Sequence, residues 1–473
     1  MHLKEKLHKG QVLQNVKFHD ISAEGMGIGR TSDNIVVFAE SVVPGDIANV
    51  KIVKIKGSYV IAQSVEIIQA SPYRTQPFCR HFGYCGGCKW QHLSYDAQLS
   101  FKKKFIHDAL TRIGNLNIPD IQEPLESPQI TEYRNKLEFA FSNNRWIEPE
   151  LFSKENKTQL PALGFHISGH YDKVLDIQQC HLQNDISNQI RNFIREYAVQ
   201  NNIPFFDIKN RTGILRTLII RNTSLNQWMV ILGVYEIDDR VFLLLDAVYR
   251  QFPFIHSLLY AHLFSLNDSI HNGKIYLHKG NDYIVEQLGH LRFKISATSF
   301  FQTNSLQTYH LYNKVKELAQ LTQKEHVYDL YCGTGTIGLF LAHQAAKVTG
   351  IEYLPAAIED AKENARLNNI QNIEFFSGNI ENILTDQFVN AQGKPDVVIA
   401  DPPRAGMHKN VLHQIRKIAP KRIIYVSCSP PSQARDISFL SDMYEVKHIQ
   451  PVDMFPHTTH IENIVLLSKI QET

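Results

Sequence analysis

The sequence predicts an α/β protein in three parts, and three observations carry that expectation. From about residue 295 onward, apolar runs of four to six residues alternate with amphipathic stretches, which is the pattern of βαβ units around a mostly parallel sheet. Residues 1–68 instead show short apolar runs separated by turn signals, which reads as a small β-barrel. Between these, residues 69–292 open on a cluster of cysteines and then mix strands with helices, so a mixed α+β middle domain is expected. The expected divisions are 1–68, 69–292 and 293–473.

With 473 residues the chain has ample material for several cores, and 43% hydrophobic and 20% charged residues are ordinary for a globular protein. A formal net charge of +2 argues against a nucleic-acid coat protein but allows local basic patches. The opening residues Met1–Lys6 carry no apolar signal core. No stretch approaches the ~20 apolar residues that span a bilayer. A cytoplasmic protein without membrane contact is expected, and nothing implies an obligate protein partner.

In the first part, the runs Asn34–Phe38, Ile47–Val53 and Tyr59–Ala62 lie between turn signals at Glu24-Gly25, Gly27, Gly29 and Pro44-Gly45. Arg30, Lys51, Lys54 and Lys56 add positive charge. Small barrels with a basic face commonly bind oligonucleotides, and the same charges suit the solvated face of a purely structural barrel. In the middle part, Tyr95–Ile113 reads as a helix with apolar Leu99, Phe105, Ile106 and Leu110 and a cationic face at Lys102–Lys104, available for phosphate contacts. Asp185–Val199 is a second helix, and Leu215–Arg221 and Trp228–Val234 are adjacent strands. Ser153–Gln159, rich in Asn, Lys and Gln, is expected to be an exposed loop. In the third part the strands are His326–Leu330, Lys347–Ile351, Ile373–Phe376, Asp396–Ala400 and Arg422–Val426, with a helix over Pro355–Asn368.

Six cysteines are too few for a disulfide framework in a chain of this length. Cys79-x5-Cys85-x2-Cys88 gives three thiolates, and Cys180 is the candidate for a fourth. Four thiolates hold zinc or an iron–sulfur cluster, and the spacing alone does not choose between them. His81, His92 and His181 then read as ordinary polar residues, because four cysteines suffice.

Gly333-Thr-Gly335-Thr-Ile-Gly338 follows a strand and precedes the helix Ile337–His343, the context in which glycines admit close approach of a nucleotide. Glu352 ends the next strand, placed to bond ribose hydroxyls. This much fits NAD and S-adenosylmethionine alike. Cys332, inside the loop, suits tight packing and is taken as structural. Asp401-Pro-Pro-Arg404 separates the two cofactors: its prolines stiffen the loop and remove backbone donors, so that the carboxylate faces a base edge in the crevice. Hydride transfer needs no such loop. Cys428 ends the neighbouring strand. Uracil C5 is a poor nucleophile, and addition of a thiolate to C6 turns C5 into an enolate carbon able to attack a sulfonium methyl group. A base must then take the C5 proton. Glu462, beside His457 and His460 and just before the strand Asn463–Ser468, is the candidate.

These motifs resemble the RNA uracil-C5 methyltransferase family, and the whole layout is similar to its bacterial 23S ribosomal RNA branch. The resemblance covers nearly the full chain, most weakly in the middle. It implies an N-terminal TRAM barrel of the OB-like type, a middle domain holding a [4Fe-4S] cluster on Cys79, Cys85, Cys88 and Cys180, and a C-terminal Rossmann-like methyltransferase domain. It implies Cys428 as nucleophile and Glu462 as base. It places Gln302, Tyr331, Glu352 and Asp401 at the S-adenosylmethionine site together with the loop glycines Gly333 and Gly335, and puts the Asp401 position beside the target base as well. Most members carry Asn after the nucleophile, where this chain has Ser429. The expected product is 5-methyluridine, in 23S ribosomal RNA or alternatively in the T-loop of transfer RNA. Phe300, Phe301 and Tyr331 are aromatic candidates for the base pocket. Two readings of other classes are a nucleotide-dependent iron–sulfur oxidoreductase and a non-catalytic RNA-binding protein.

Overall fold

The computed structural model describes residues 7–147, 160–167, 169–265 and 269–470. The expected loop Ser153–Gln159 and the opening Met1–Lys6 lie outside them. The chain divides into two compact units, Met1–Phe105 with Phe455–His460, and Ile106–Met454 with Ile461–Thr473.

In the first unit, β1 (Val12–Ile21), β2 (Gly27–Arg30), β3 (Val36–Glu40), β4 (Ile47–Ile55) and β5 (Tyr59–Gln69) close into a barrel of order β1-β2-β3-β5-β4. Alternating side chains fill it, among them Val16, Phe18, Val37, Val50, Ile52 and Val60. Gly27 and Gly29, expected in turns, lie instead in β2: a Cβ on Gly27 would stand 2.5 Å from Val42 Cγ2, and one on Gly29 2.7 Å from the Lys17 carbonyl. Close approach across the barrel is what requires them.

The helix α1 (Tyr95–Asp108) continues as a π-helical turn, Ala109–Ile113. Its early residues join a small core of Ile21, Val43, Trp90, Leu93 and Ala97. The expected cationic face at Lys102–Lys104 is not an open one. Lys102 is fully buried; its Nζ lies over the Trp90 ring, 5.9 Å from the centroid, and donates to the Phe455 carbonyl at 3.1 Å. Lys104 pairs with Asp20 at 2.9 Å. A lysine stem is apolar enough to be buried when its ammonium finds a carbonyl, so a run of charges does not by itself define a solvated face. Within the same unit, the amides of Lys89 and Trp90 donate to the His457 carbonyl (2.8 and 3.0 Å), which ties Phe455–His460 in place.

In the second unit, β6 (Lys136–Ser142), β7 (Ala162–Ile167), β8 (His170–Asp176), β9 (Leu215–Asn222), β10 (Trp228–Val234), β11 (Ile255–His262) and β12 (Lys274–Gly280) form one sheet of order β12-β11-β10-β9-β6-β7-β8, with α2 (Asp185–Gln200) and α3 (Asp239–Gln251) between its strands in sequence. The hairpin of β13 (Tyr283–Leu288) and β14 (Leu291–Ser296) follows; the expected break at 292 falls within β14. Then come α4 (Ser305–Ala319), β15 (His326–Leu330), α5 (Thr336–Ala342), β16 (Lys347–Glu352), α6 (Pro355–Leu367), β17 (Ile373–Ser377), the short α7 (Ile380–Ile383) and α8 (Asp386–Gln392), β18 (Val397–Ala400), α9 (Lys409–Ile418), β19 (Arg422–Ser427), α10 (Pro430–Leu440), β20 (Tyr444–Val452) and β21 (Glu462–Lys469). The second sheet has the order β17-β16-β15-β18-β19-β21-β20, with β15 to β19 parallel and β21 antiparallel to both its neighbours. Strands β15, β18 and β19 are almost wholly buried, as central parallel strands covered by helices must be. Among the described residues no helix is long and apolar enough to cross a membrane.

Asp46 is the polar keystone of the first unit. It is buried and accepts the amides of Val43 (2.8 Å) and Ser71 (2.9 Å) while pairing with Arg74 at 2.5 Å. Removing one member of a buried ion pair costs about 3–5 kcal/mol because the other charge is left uncompensated. Asp46→Ala is therefore expected to lower stability by about 3 kcal/mol in urea denaturation followed by circular dichroism; a loss below about 1 kcal/mol contradicts this role.

Candidate active site

The second sheet presents the carboxyl ends of β15, β16, β18 and β19 at one edge, where open α/β sheets bind ligands. Asp329, in the last turn of β15, is fully buried among apolar residues. One carboxylate oxygen accepts the Gly338 amide at 2.8 Å; the other, Oδ1, is buried with no partner. Burial pushes this carboxyl up to about 7, and the nearby Asp401 and Glu352 add to the effect. Tyr331 then turns the chain with φ 64°, outside the usual range for a side chain of its size. Gly335 follows at φ 77°, where a Cβ would stand 2.8 Å from the Phe375 ring. Gly333, at φ 55°, has nothing within 4 Å of its Cβ direction, so its loop faces open space. Glu352 at the end of β16 accepts the Gly333 amide at 3.1 Å and the Leu354 amide at 3.0 Å, which fixes its carboxylate beside the loop. Cys332 is buried behind it. Together these make a rigid cradle with one acid on its rim.

Gln302 is placed by a different set of bonds. It is buried in the turn between β14 and α4, its carbonyl accepts from Asn135 Nδ2 (2.9 Å), and Asn135 also donates its amide to the Thr303 carbonyl (2.8 Å). Phe301 is buried and Phe300 is exposed. Of this aromatic pair, Phe300 is thus the ring with a free face.

The second group of site residues converges by register. In the β19–β21 ladder Ser427 lies opposite Asn463, so Cys428 and Glu462 follow at the same edge, and Asp401 leaves β18 next to it. Gln433 of α10 bridges the two strands, donating to the carbonyls of Tyr425 (2.9 Å) and Asn463 (3.1 Å). Glu462 is buried at the start of an interior strand, between β19 and β20. Burial drives its carboxyl well above the ordinary range; Asp401 adds to this and Arg404 opposes it. Asp401 keeps some exposed surface, but its carboxyl is desolvated and pushed up to about 7. The Cys428 thiol is half-buried and pushed up to about 11, first by desolvation, then by Glu462 and Asp401, with Arg404 acting in the opposite sense. A thiol, two carboxyls whose proton affinity burial raises and one cation therefore occupy a single electrostatic neighbourhood.

Cys79, Cys85 and Cys88 lie in the first unit, half-buried within residues 74–94, and Cys180 is buried in the second. No regular strand or helix spans the segment before α1. None of the four is in a disulfide, and the Gly87 amide lies 3.5 Å from Cys85 Sγ. Such donors suit a cluster in kind, since amide donors to sulfur stabilise iron–sulfur groups. Among the described residues no three His, Cys, Asp or Glu side chains are gathered as a metal-holding set. His81 and His92, read as ordinary polar residues, are both buried.

Sequence reasoning gave no role to Asp329, Arg404 or Ser432. The first carried a signal: a carboxylate inside an apolar strand is costly unless it has a task.

A family described as tRNA (Uracil-5-)-methyltransferase matches residues 269–470, and the TRAM domain matches residues 7–65. An uncharacterised RNA methyltransferase of Bacteroides thetaiotaomicron is 48% identical, over 94% of this chain and 99% of its own length. One of Porphyromonas gingivalis is also 48% identical, over 96% and 99%. The chain belongs to the RNA uracil-C5 methyltransferase family. The crystal structure of Pyrococcus abyssi tRNA (uracil-54, C5)-methyltransferase, in complex with S-adenosyl-L-homocysteine, covers 96% of this methyltransferase and 100% of its own chain with a TM-score of 0.74 at 27% identity. The present enzyme is an S-adenosylmethionine-dependent methyltransferase acting on RNA, and the oxidoreductase and non-catalytic RNA-binding readings are set aside. Its glycine cradle fits that cofactor: Gly333 leaves open space, Glu352 supplies an acceptor, and the partnerless Asp329 Oδ1 awaits a donor.

Between the ordinary carboxylate value near 4 and about 7, the folded chain keeps a proton on Asp329 that the unfolded chain has released. A raised folded-state value means that this contribution to stability is lost as pH rises through the window. Asp329→Asn keeps an acceptor for Gly338 and removes the titration. Relative to the unsubstituted enzyme it is expected to gain about 1.4 kcal/mol per pH unit across that window. Urea melts at pH 5, 6 and 7 measure it; a pH-independent difference contradicts the assignment.

Proposed function

We propose that this methyltransferase converts a uridine of 23S ribosomal RNA to 5-methyluridine through a covalent adduct on Cys428, with Glu462 removing the C5 proton. The observation that carries the mechanism is the convergence of Cys428, Asp401 and Glu462 at one sheet edge, all three desolvated. Desolvation suits the chemistry: a thiol in this setting is a weak nucleophile until a planar ring and its polar edge replace the missing water. Asp401, on a loop stiffened by Pro402 and Pro403, presents its carboxyl to the polar edge of the uracil. As the thiolate, Cys428 adds to C6 and the C5=C6 electron pair becomes available at C5. When bound, S-adenosylmethionine supplies an electrophilic methyl group. Glu462 then accepts the C5 proton, the double bond re-forms and Cys428 leaves as thiolate. A carboxyl with an elevated proton affinity is well matched to taking a proton from carbon.

The ribosomal target rests on the resemblance in layout, a TRAM barrel followed by a cysteine cluster. A transfer RNA uridine is the second reading, favoured by the tRNA (uracil-54, C5)-methyltransferase of similar fold. The division at 68 and 292 into RNA-binding barrel, cluster-bearing middle and methyl-transfer part belongs to the same proposal, as do a cytoplasmic location and the assignment of Gln302, Tyr331, Gly333, Gly335, Glu352 and Asp401 to the cofactor. Cys79, Cys85, Cys88 and Cys180 would hold a [4Fe-4S] cluster. No redox step is needed in the methyl transfer, so its part is in folding or RNA contact.

Cys428→Ala should lower turnover at least about 10³-fold while leaving RNA binding within a few-fold. Glu462→Gln should accumulate an RNA–protein adduct that survives a denaturing gel, because addition proceeds and elimination does not. Appreciable turnover by the first variant would remove the covalent mechanism; absence of the slow band with the second would mean that another group is the base. Cys180→Ser should reduce the iron content of anaerobically purified protein; unchanged iron means that another residue completes the ligand set.

A further inference from the structure

The helix α10 begins two residues after Cys428, and the loop that carries Asp401 and Arg404 lies against it. Arg435 Nη2 donates to the Ala405 carbonyl (2.8 Å), and the Met407 amide donates to Asp436 (2.7 Å), a buried carboxylate that also accepts the Tyr425 hydroxyl (2.7 Å). A Cβ on Gly406, at φ 81°, would stand 2.5 Å from both Arg435 Nη2 and Asp436 Oδ2, so the loop backbone touches the helix there. Nearer the thiol the grip is made by two hydroxyls. Ser432 Oγ donates to the Arg404 carbonyl at 2.6 Å, and Ser429 Oγ lies 2.9 Å from Ser432 Oγ. A carbonyl only accepts, so the Ser432 proton is committed to Arg404 and Ser429 is the donor to Ser432. The proton order runs Ser429 to Ser432 to the Arg404 backbone. Pro402 and Pro403 have no amide hydrogens, so this stretch of loop is gripped through its carbonyls.

We propose that Ser432 is a positioning residue of the methyl-transfer site: through the Ser429–Ser432–Arg404 hydroxyl chain it fixes the Arg404 end of the loop relative to Cys428. The inference rests on Cys428 as the nucleophile. Three charged groups act on that thiol, Asp401 and Arg404 from the loop and Glu462 from β21. Asp401 is anchored separately, its amide donating to the Leu330 carbonyl at 3.3 Å, and Glu462 is held by the β21 ladder. Releasing the hydroxyl chain leaves Arg404 held only through its neighbours Ala405 and Met407, so the cation is less well fixed while both carboxylates stay. The cation opposes the carboxylates at the thiol, so its release makes Cys428 harder to ionise.

The test compares Ser432→Thr with Ser432→Val in the full chain, two side chains of equal shape that differ in the hydroxyl, with Ser432→Ala as a smaller variant that cannot clash. The rate of Cys428 alkylation by iodoacetamide is followed from pH 6 to 10 by peptide mass spectrometry, alongside kcat and S-adenosylmethionine affinity. Thr should match the unsubstituted enzyme. Val and Ala should slow labelling about tenfold across this range, the effect of a midpoint moved up by about one pH unit, and lower kcat similarly at unchanged cofactor affinity. Coincident profiles for Val and Thr overturn the proposal. The labelling readout needs no RNA, so a shifted midpoint in a protein that methylates no RNA would support the positioning role and reject the nucleophile reading instead.

Discussion

The register between β19 and β21 is the constraint on which the rest of the site depends. The last strand of the chain runs antiparallel to the parallel set and inserts between β19 and β20, with Ser427 opposite Asn463. A slip of one residue would turn every β21 side chain to the other face of the sheet and take Glu462 with it. In place, the ladder brings together two residues 34 positions apart in sequence. It also buries Glu462, which a strand at the edge would leave in water. Gln433 makes the arrangement specific, because its amide bonds β19 and β21 at once.

Burial of like-charged groups follows from that geometry and shapes the chemistry. Asp329, Asp401 and Glu462 all hold protons more tightly than carboxyls in water, and Asp401 raises both of the others. Such a cluster is costly in an empty site and becomes favourable when a ring with polar edges and a positively charged cofactor enter. The cradle at Gly333 and the edge at Cys428 belong to the same sheet, so rigid strands hold the two relative to one another, with loops as the adjustable part. This is the general logic of ligand sites at the carboxyl edge of open sheets.

Much of this was legible in the sequence because strand and helix periods are local. The βαβ alternation after residue 295, the strand ends at Glu352 and Ala400, and the barrel runs all agree with the structure to within a few residues. The Asp401 loop and Cys428 stood out because chemically able side chains sit at the ends of apolar runs. What escaped was non-local. No periodicity says that β21 slips between β19 and β20, so the burial of Glu462 could not be read from the sequence. Lys102 follows helical spacing on a cationic stretch, yet Trp90 and the Phe455 carbonyl, distant in sequence, draw it inside. Gly27 and Gly29 looked like turns because glycine marks turns; the barrel needs them for closeness. Ser432 carried no signal, since a serine in the first turn of a helix is ordinary.

The most direct test of the account is incubation of the enzyme with S-adenosylmethionine and 5-fluorouridine-substituted 23S ribosomal RNA, followed by mass spectrometry of the crosslinked peptide. Fluorine at C5 cannot leave as a proton, so the reaction should stop after methyl transfer with the base attached to Cys428. A methylated adduct on that residue is the predicted result. An adduct on another residue, or methylation of unsubstituted RNA with no adduct on the fluorinated substrate, would contradict the covalent mechanism.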